Sequence, residues 1–251
     1  MNMYKEELAE KAKSWDNMIE SHFADECKRV AIDSDYYGPE CPTSDREKGN
    51  PKMCLFAKGT TEAAADCLKA GKEKVAILNF ASFKNPGGKF LEGSMAQEEA
   101  ICHVTNLYEV LLRCSDYYQW NNENKNNGLY RNRAIVSKGI HLFGQQEGLI
   151  DVITCAAPNN TMGIRYGKFT QSDNSACMRD RVRFLRAVCD QYHWDVLILG
   201  AWGCGVFRQD PLVVADAFKR EFSDYDCPLI IYAIPDRGGN NYVAFEGVLN
   251  G

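Results

Sequence analysis

Two adjacent carboxylates, Glu98 and Glu99, follow Gln97 where a polar stretch turns into an apolar helical pattern. Such a pair is poor core material. Near a helix N-terminus the helix dipole favours their ionised form, which gives them a purely stabilising explanation. Adjacent side chains on a helix nevertheless diverge by about 100°. One carboxylate can therefore face a cleft while the other anchors a neighbouring group. That geometry suits one group for positioning and one for acid–base work.

Two glycine-rich turns carry the rest of the candidate chemistry. Asn85-Pro86-Gly87-Gly88 follows an apolar run and allows a tight turn with exposed backbone amides. In LILGAWGCGVFRQDP (197–211), Gly200, Gly203 and Gly205 lie between a strand and a helix, which sets amides and a helix N-terminus at a sheet end. Glycine spacing by itself reads equally well as turn glycines. Phe207 is either a core plug or a platform for a base or sugar ring. Cys204 lacks an identifiable His partner and reads as a small residue filling its turn. Cys102-His103 with Cys114 lacks the spacing of converging metal ligands, so neither a metal nor a cofactor is expected. The four histidines are scattered and read as structural.

These residues need rigid elements behind them. Leu8, Ala12, Trp15, Ile19 and His22 or Phe23 recur at helical spacing and predict a first helix. SDYYGPECPTSDREKGNP, within residues 33–52, reads as a loop and sets the domain division: an N-terminal helical extension over 1–50, and a main body over 51–251. Strands are expected at 53–57, 75–81, 133–137, 152–157, 195–201 and 228–234. A helix capped by Thr60 or Thr61 and ended by Gly71 follows the first of them. One helix is expected from about Ala96 to Arg113, with Ala100, Val104, Leu107 and Leu111 buried. DYYQWNNENKNNG reads as a long loop. Residues 171–193, PLVVADAFKREF and YVAFEGVL read as further helices. The alternation predicts an α/β fold, a mostly parallel sheet between helices. In such sheets ligands collect beyond the carboxyl ends of the strands, where both glycine turns fall.

The 251 residues carry a formal net charge of -5, which disfavours general nucleic-acid binding. A small anionic ligand remains compatible, because backbone amides can hold a phosphate pair without net positive charge. Eleven cysteines without a CxxC read as reduced, buried thiols. The acidic start lacks the apolar stretch of a secretion signal, and no segment is long and apolar enough to span a membrane. A cytoplasmic globular protein is the expectation.

NFASFKNPGGKFLEGSMAQEE together with LGAWGCGVFRQDP resembles the bacterial-type poly(ADP-ribose) glycohydrolases, a branch of the macrodomain superfamily. LYRNRAIVS and IDVITCAAPN extend the likeness, which covers roughly residues 53–245. The resemblance implies a macrodomain-like three-layer α/β/α sandwich with a mixed sheet and ADP-ribose in a surface cleft. It also implies hydrolysis of the ribose–ribose bond of poly(ADP-ribose), free or on ADP-ribosylated proteins. Carried over by motif, Glu99 would be catalytic and Glu98 would hold the hydroxyls of the cleaved ribose. Asn85, Gly87 and Gly88 would cradle that sugar and its phosphate, with Gln97 in the same ligand-binding motif. Gly203, Cys204, Gly205 and Val206 would wrap the diphosphate, and Phe207 would pack on the ribose beside it. One carboxyl could serve as acid and then base if burial raises its pKa. Lys89 stands where the family motif has a third glycine, so a positive φ there would mean strain, or its ammonium would reach the diphosphate. Lys58-Gly59-Thr60-Thr61 has no acidic residue to read the adenine, which leaves Tyr242 or Phe245 for it. A reader that binds ADP-ribose without cutting it, and a hydrolase of another ADP-ribose linkage, are the competing functions.

Overall fold

The computed structural model describes residues 3–43, 46–144 and 146–251. Met1, Asn2, Ser44 and Asp45 of the expected extension lie outside the described residues, as does Gln145. The chain runs α1 (Met3–Ile32), β1 (Asp35–Tyr37), β2 (Lys52–Phe56), α2 (Thr60–Lys69), β3 (Val75–Phe80), α3 (Gln97–Cys102), α4 (Leu107–Leu112) and α5 (Ser115–Glu123). It continues β4 (Ala134–Leu142), β5 (Gly148–Cys155), α6 (Thr161–Tyr166), α7 (Gln171–Cys189), β6 (Val196–Leu199), α8 (Pro211–Phe222), β7 (Leu229–Ala233) and α9 (Asn240–Asn250).

The strands form one sheet in the order β1-β4-β5-β3-β6-β7-β2, antiparallel at β1–β4 and β4–β5 and parallel elsewhere. Alternation along each strand divides its side chains between two layers. Ala76, Leu78, Leu197, Leu199, Ile230 and Tyr232 pack with Val182, Leu185, Phe218 and Phe245 of α7, α8 and α9. Val75, Ile77, Ile198 and Ile231 pack the other way, against Ile19, Ala63, Ile101 and Val110 of α1 to α4. Strands buried on both faces explain why VAILNF and VLIL read as unbroken apolar runs. The result is the expected three-layer α/β/α sandwich.

Local caps set the helix starts. Thr170 and Asp173 form a reciprocal capping pair at α7, with N–H to oxygen distances of 2.9 and 3.1 Å. Asp210 accepts the Leu212 N–H at 2.9 Å, with Pro211 at the first helical position of α8.

The structure departs from the sequence expectations in four places. The helix expected over 96–113 is two, α3 and α4, because Thr105 leaves the helical path to bridge Leu142 of β4. DYYQWNNENKNNG contains α5, whose Tyr117 and Tyr118 are buried in the core. Gly59 is the N-cap of α2, and its N–H donates to Glu62 at 2.7 Å, so neither threonine caps the helix. Residues 1–50 supply the sheet's edge strand β1 and the helix α1. Buried Ile19, Cys27, Val30 and Ala31 of α1 belong to the main core, and the Trp15 indole N–H donates to the Thr105 carbonyl at 3.0 Å. That segment is built into the same body as the sheet.

Candidate active site

The first glycine turn leaves the end of β3 and returns to α3. Gly87 and Gly88 have φ of +63° and +61°, a region that favours glycine. Space demands glycine as well. A Cβ on Gly87 would lie 2.5 Å from the Tyr108 ring, and one on Gly88 would lie 2.6 Å from Glu99 Oε1 and 3.1 Å from Glu98 Oε2. Both carboxylates therefore close on the backbone of Gly88.

Lys89 takes φ -117°, so a lysine fits there without backbone strain, and its ammonium sits 3.3 Å from Glu92 on the surface. The strain expected of a positive φ is therefore absent. What Lys89 contributes is its N–H, which donates to Glu99 Oε1 at 2.9 Å.

Glu98 is 3% exposed and Glu99 is 6% exposed. Glu98 Oε2 accepts the Ser82 N–H at 2.7 Å, and Oε1 accepts the Asn79 amide at 3.3 Å. Burial pushes the Glu98 carboxyl up to about 8, with the Glu99 charge adding to the rise and the hydrogen bonds from Ser82 and Asn79 opposing it. The raised carboxyl is thus the one assigned to positioning by resemblance.

This shift fixes a pH dependence. An unfolded Glu98 would titrate near 4.5 and the folded one near 8, so between those values the native state holds a proton that the unfolded state has lost. Stability then falls as pH rises through that window, by about 1.4 kcal/mol per pH unit at most. Glu98→Gln should flatten this slope, leaving the variant more stable than the wild type at pH 8. Urea unfolding at pH 5, 6.5 and 8 measures it. Parallel curves for the two proteins would mean that Glu98 is ionised in the fold.

Gln97 does not reach toward a ligand with its amide. Its Oε1 accepts the Phe80 N–H at 2.8 Å, and its Nε2 donates to Leu78 O at 2.8 Å and to Thr60 Oγ1 at 3.1 Å. The residue is a strut tying α3 to β3 and α2, with one flank on the cleft.

The second turn follows β6. Gly203 has φ +75°. The Cys204 N–H donates to Ala201 O at 3.1 Å, which withdraws it from the amides expected to hold a diphosphate. The amides of Gly205, Val206 and Phe207 have no acceptor among the described residues. The α8 N-terminus is already capped by Asp210, so the turn's own amides are the free donors. Burial pushes the Cys204 thiol up to about 12, consistent with a filler and not a nucleophile.

Between the turns lies a cleft of about 450 Å³. Gln97, Gly203, Gly205, Val206 and Phe207 line it, as do Thr60, Phe80, Ala100, Arg237 and Asn241. Asn85, Gly87, Gly88 and the two carboxylates sit beyond its wall, where α3 turns Ala96, Gln97 and Ala100 to the cleft and Glu98 and Glu99 to the glycines. Phe207 packs edge-on against Tyr130, which stacks on Phe83 at 4.0 Å. Phe245 is fully buried against Tyr232 and is core, and Tyr242 is absent from the cleft wall. Neither meets the adenine expectation. Among the described residues no three His, Cys, Asp or Glu side chains converge to hold a metal ion.

Residues 8–145, more than half of the chain, match the family model described as microbial-type PARG, catalytic domain. The chain belongs to this family. Among solved structures, it is similar to poly(ADP-ribose) glycohydrolase of Thermomonospora curvata bound to the inhibitor ADP-HPD. The two share 25% identity, with 96% of this chain and 99% of that chain covered and a TM-score of 0.83. It is also similar to poly(ADP-ribose) glycohydrolase (PARG) of Deinococcus radiodurans in complex with ADP-ribose. There the identity is 27%, the coverage 89% and 96%, and the TM-score 0.77. No curated protein matches the sequence at a significant level. The microbial-type PARG match begins inside α1, in keeping with the packing of that helix on the body.

Sequence reasoning missed Asn79 and Arg237. Asn79 is fully buried at the end of β3, where it links Glu98 to Thr154 Oγ1 at 3.3 Å. Its signal was one amide in an otherwise apolar strand. Arg237, in the β7–α9 loop, faces the cleft and carried no signal beyond its charge.

Proposed function

We propose that this chain hydrolyses the ribose–ribose bond of poly(ADP-ribose) and releases ADP-ribose, with Glu99 as general acid and base. The observation that carries the reading is the closure of the Glu98 and Glu99 carboxylates on Gly88, beside a cleft walled by free backbone amides. Glu99 gives a proton to the leaving ribose oxygen, and the glycosidic C–O electron pair departs with that oxygen. Water adds to the resulting oxocarbenium carbon and returns its proton to Glu99. Glu98, held by Ser82 and Asn79, grips hydroxyls of the cleaved ribose. The amides of Gly205, Val206 and Phe207 hold the diphosphate, whose charge stabilises the cationic transition state. Membership of the family and the ADP-ribose and ADP-HPD complexes of its structural relatives support the same assignment.

No helix among the described residues is long and apolar enough to cross a membrane. All eleven cysteines are free, which fits a cytoplasmic setting.

The test is purified polymer incubated with the wild-type protein, with free ADP-ribose quantified by chromatography. Release of ADP-ribose is the expected result. A protein that binds ADP-ribose in calorimetry yet never liberates it from polymer would be a reader.

A further inference from the structure

The free amides of the turn after β6 take their direction from what its carbonyls bind. A trans peptide is planar, so its C=O and N–H point opposite ways, and fixing one aims the other. The Gly205 carbonyl accepts the Arg208 N–H at 3.1 Å, which aims the Val206 N–H away from Arg208. The Val206 carbonyl accepts the Thr161 hydroxyl at 3.2 Å, which aims the Phe207 N–H away from Thr161. Val206 and Phe207 line the cleft, whereas Thr161 and Arg208 do not.

The Arg208 end of the turn has to be held, because its φ of +57° is costly for a residue with a side chain. Its carbonyl accepts the Asn160 amide at 3.0 Å. The next residue is fixed as well. The Gln209 N–H donates to Gly203 O at 3.1 Å, and its side-chain amide donates to Pro158 O at 2.7 Å. Gln209 and Asn174 of α7 exchange two amide hydrogen bonds, each of 2.9 Å. Asn160 reaches the same helix through Gln171 Oε1 at 3.1 Å. Asn160, Asn174 and Gln209 are all buried, and none of them lines the cleft. Burying three carboxamides is costly unless each is paired, and here the pairing goes to the turn and to α7.

We propose that Asn160 and Thr161, consecutive residues beyond β5, are positioning residues that clamp this turn and aim its amides at the diphosphate. This rests on the reading of the Gly205, Val206 and Phe207 amides as the diphosphate holders. Both residues act through the turn, on the Arg208 and Val206 carbonyls. Amides fixed in advance need no reorganisation when the phosphates arrive.

The test is calorimetry with ADP-ribose on the full chain and its variants, with thermal melting beside it. Thr161→Val removes the hydroxyl at nearly constant shape and should weaken binding about threefold, in the range of one hydrogen bond. Thr161→Ser restores the hydroxyl and should recover the wild-type affinity. Asn160→Ala should weaken binding about tenfold. Adding Arg208→Gly to it should regain most of that loss, because glycine takes a positive φ without being held there. A role in folding alone would make affinity follow the melting temperature through the series, with no such recovery. Unchanged affinity in Thr161→Val or in Asn160→Ala would overturn the clamp. So would a Thr161→Ser protein as weak as Thr161→Val, or a double variant no tighter than Asn160→Ala. Should Asn160→Ala fail to fold, the two Thr161 variants decide. A wild type that does not bind ADP-ribose would instead put the diphosphate reading itself at fault.

Discussion

Replacing Glu99 by Gln is expected to abolish ADP-ribose release from polymer while leaving ADP-ribose affinity nearly intact. The amide keeps the size of the carboxyl and still accepts the Lys89 N–H, but it cannot exchange a proton near neutral pH. Acid–base catalysis typically contributes 10²–10⁴-fold, so turnover should fall by roughly that factor. Binding rests mainly on the free amides of Gly205, Val206 and Phe207 at the other glycine turn, which the substitution leaves in place. Chromatographic release assays and calorimetry on the same preparation separate the two quantities. Full turnover in the variant would take Glu99 out of the mechanism, and a parallel loss of affinity would make it a binding group.

Gly88→Ala should damage the site as severely by a different route. The new methyl group would stand only 2.6 Å from Glu99 Oε1 and 3.1 Å from Glu98 Oε2. The carboxylates would have to withdraw, and misplacement of a reacting group by about 1 Å can cost 10²-fold in rate. The backbone at φ +61° adds about 1–2 kcal/mol of strain for any side chain, or a melting point lower by roughly 2–8 °C. Release assays and calorimetric melting check both parts. Wild-type turnover in this variant would show that the carboxylates do not work from the positions described here.

The site was legible in the sequence where it is local and obscure where it depends on distant contacts. The carboxylate pair and both glycine turns are short, contiguous patterns, and the family resemblance they carry is what assigns them roles. The supports are not contiguous. Gln97 reads as part of a binding motif until its amide is seen bonded to β3 and Thr60. Lys89 reads as a departure from the glycine pattern, although the contact it makes with Glu99 comes from its backbone N–H. The fold follows the same division. Buried strands announce themselves as apolar runs, whereas the break between α3 and α4 comes from a pairing of Thr105 with Leu142 that no periodicity records. Asparagine-rich α5 reads as loop because its helix depends on burying Tyr117 and Tyr118.

The first helix bears on how firmly the carboxylates are held. Beyond Gly87 and Gly88 the turn passes Gly93, where a Cβ would come within 2.1 Å of the Lys5 carbonyl oxygen, and Ala12 packs with Phe90 and Cys102. Trp15 hydrogen-bonds a residue ninety positions later. The turn that closes on the two carboxylates is thus braced from behind by α1. A substitution that loosens that helix would blur the aim of acids it never touches.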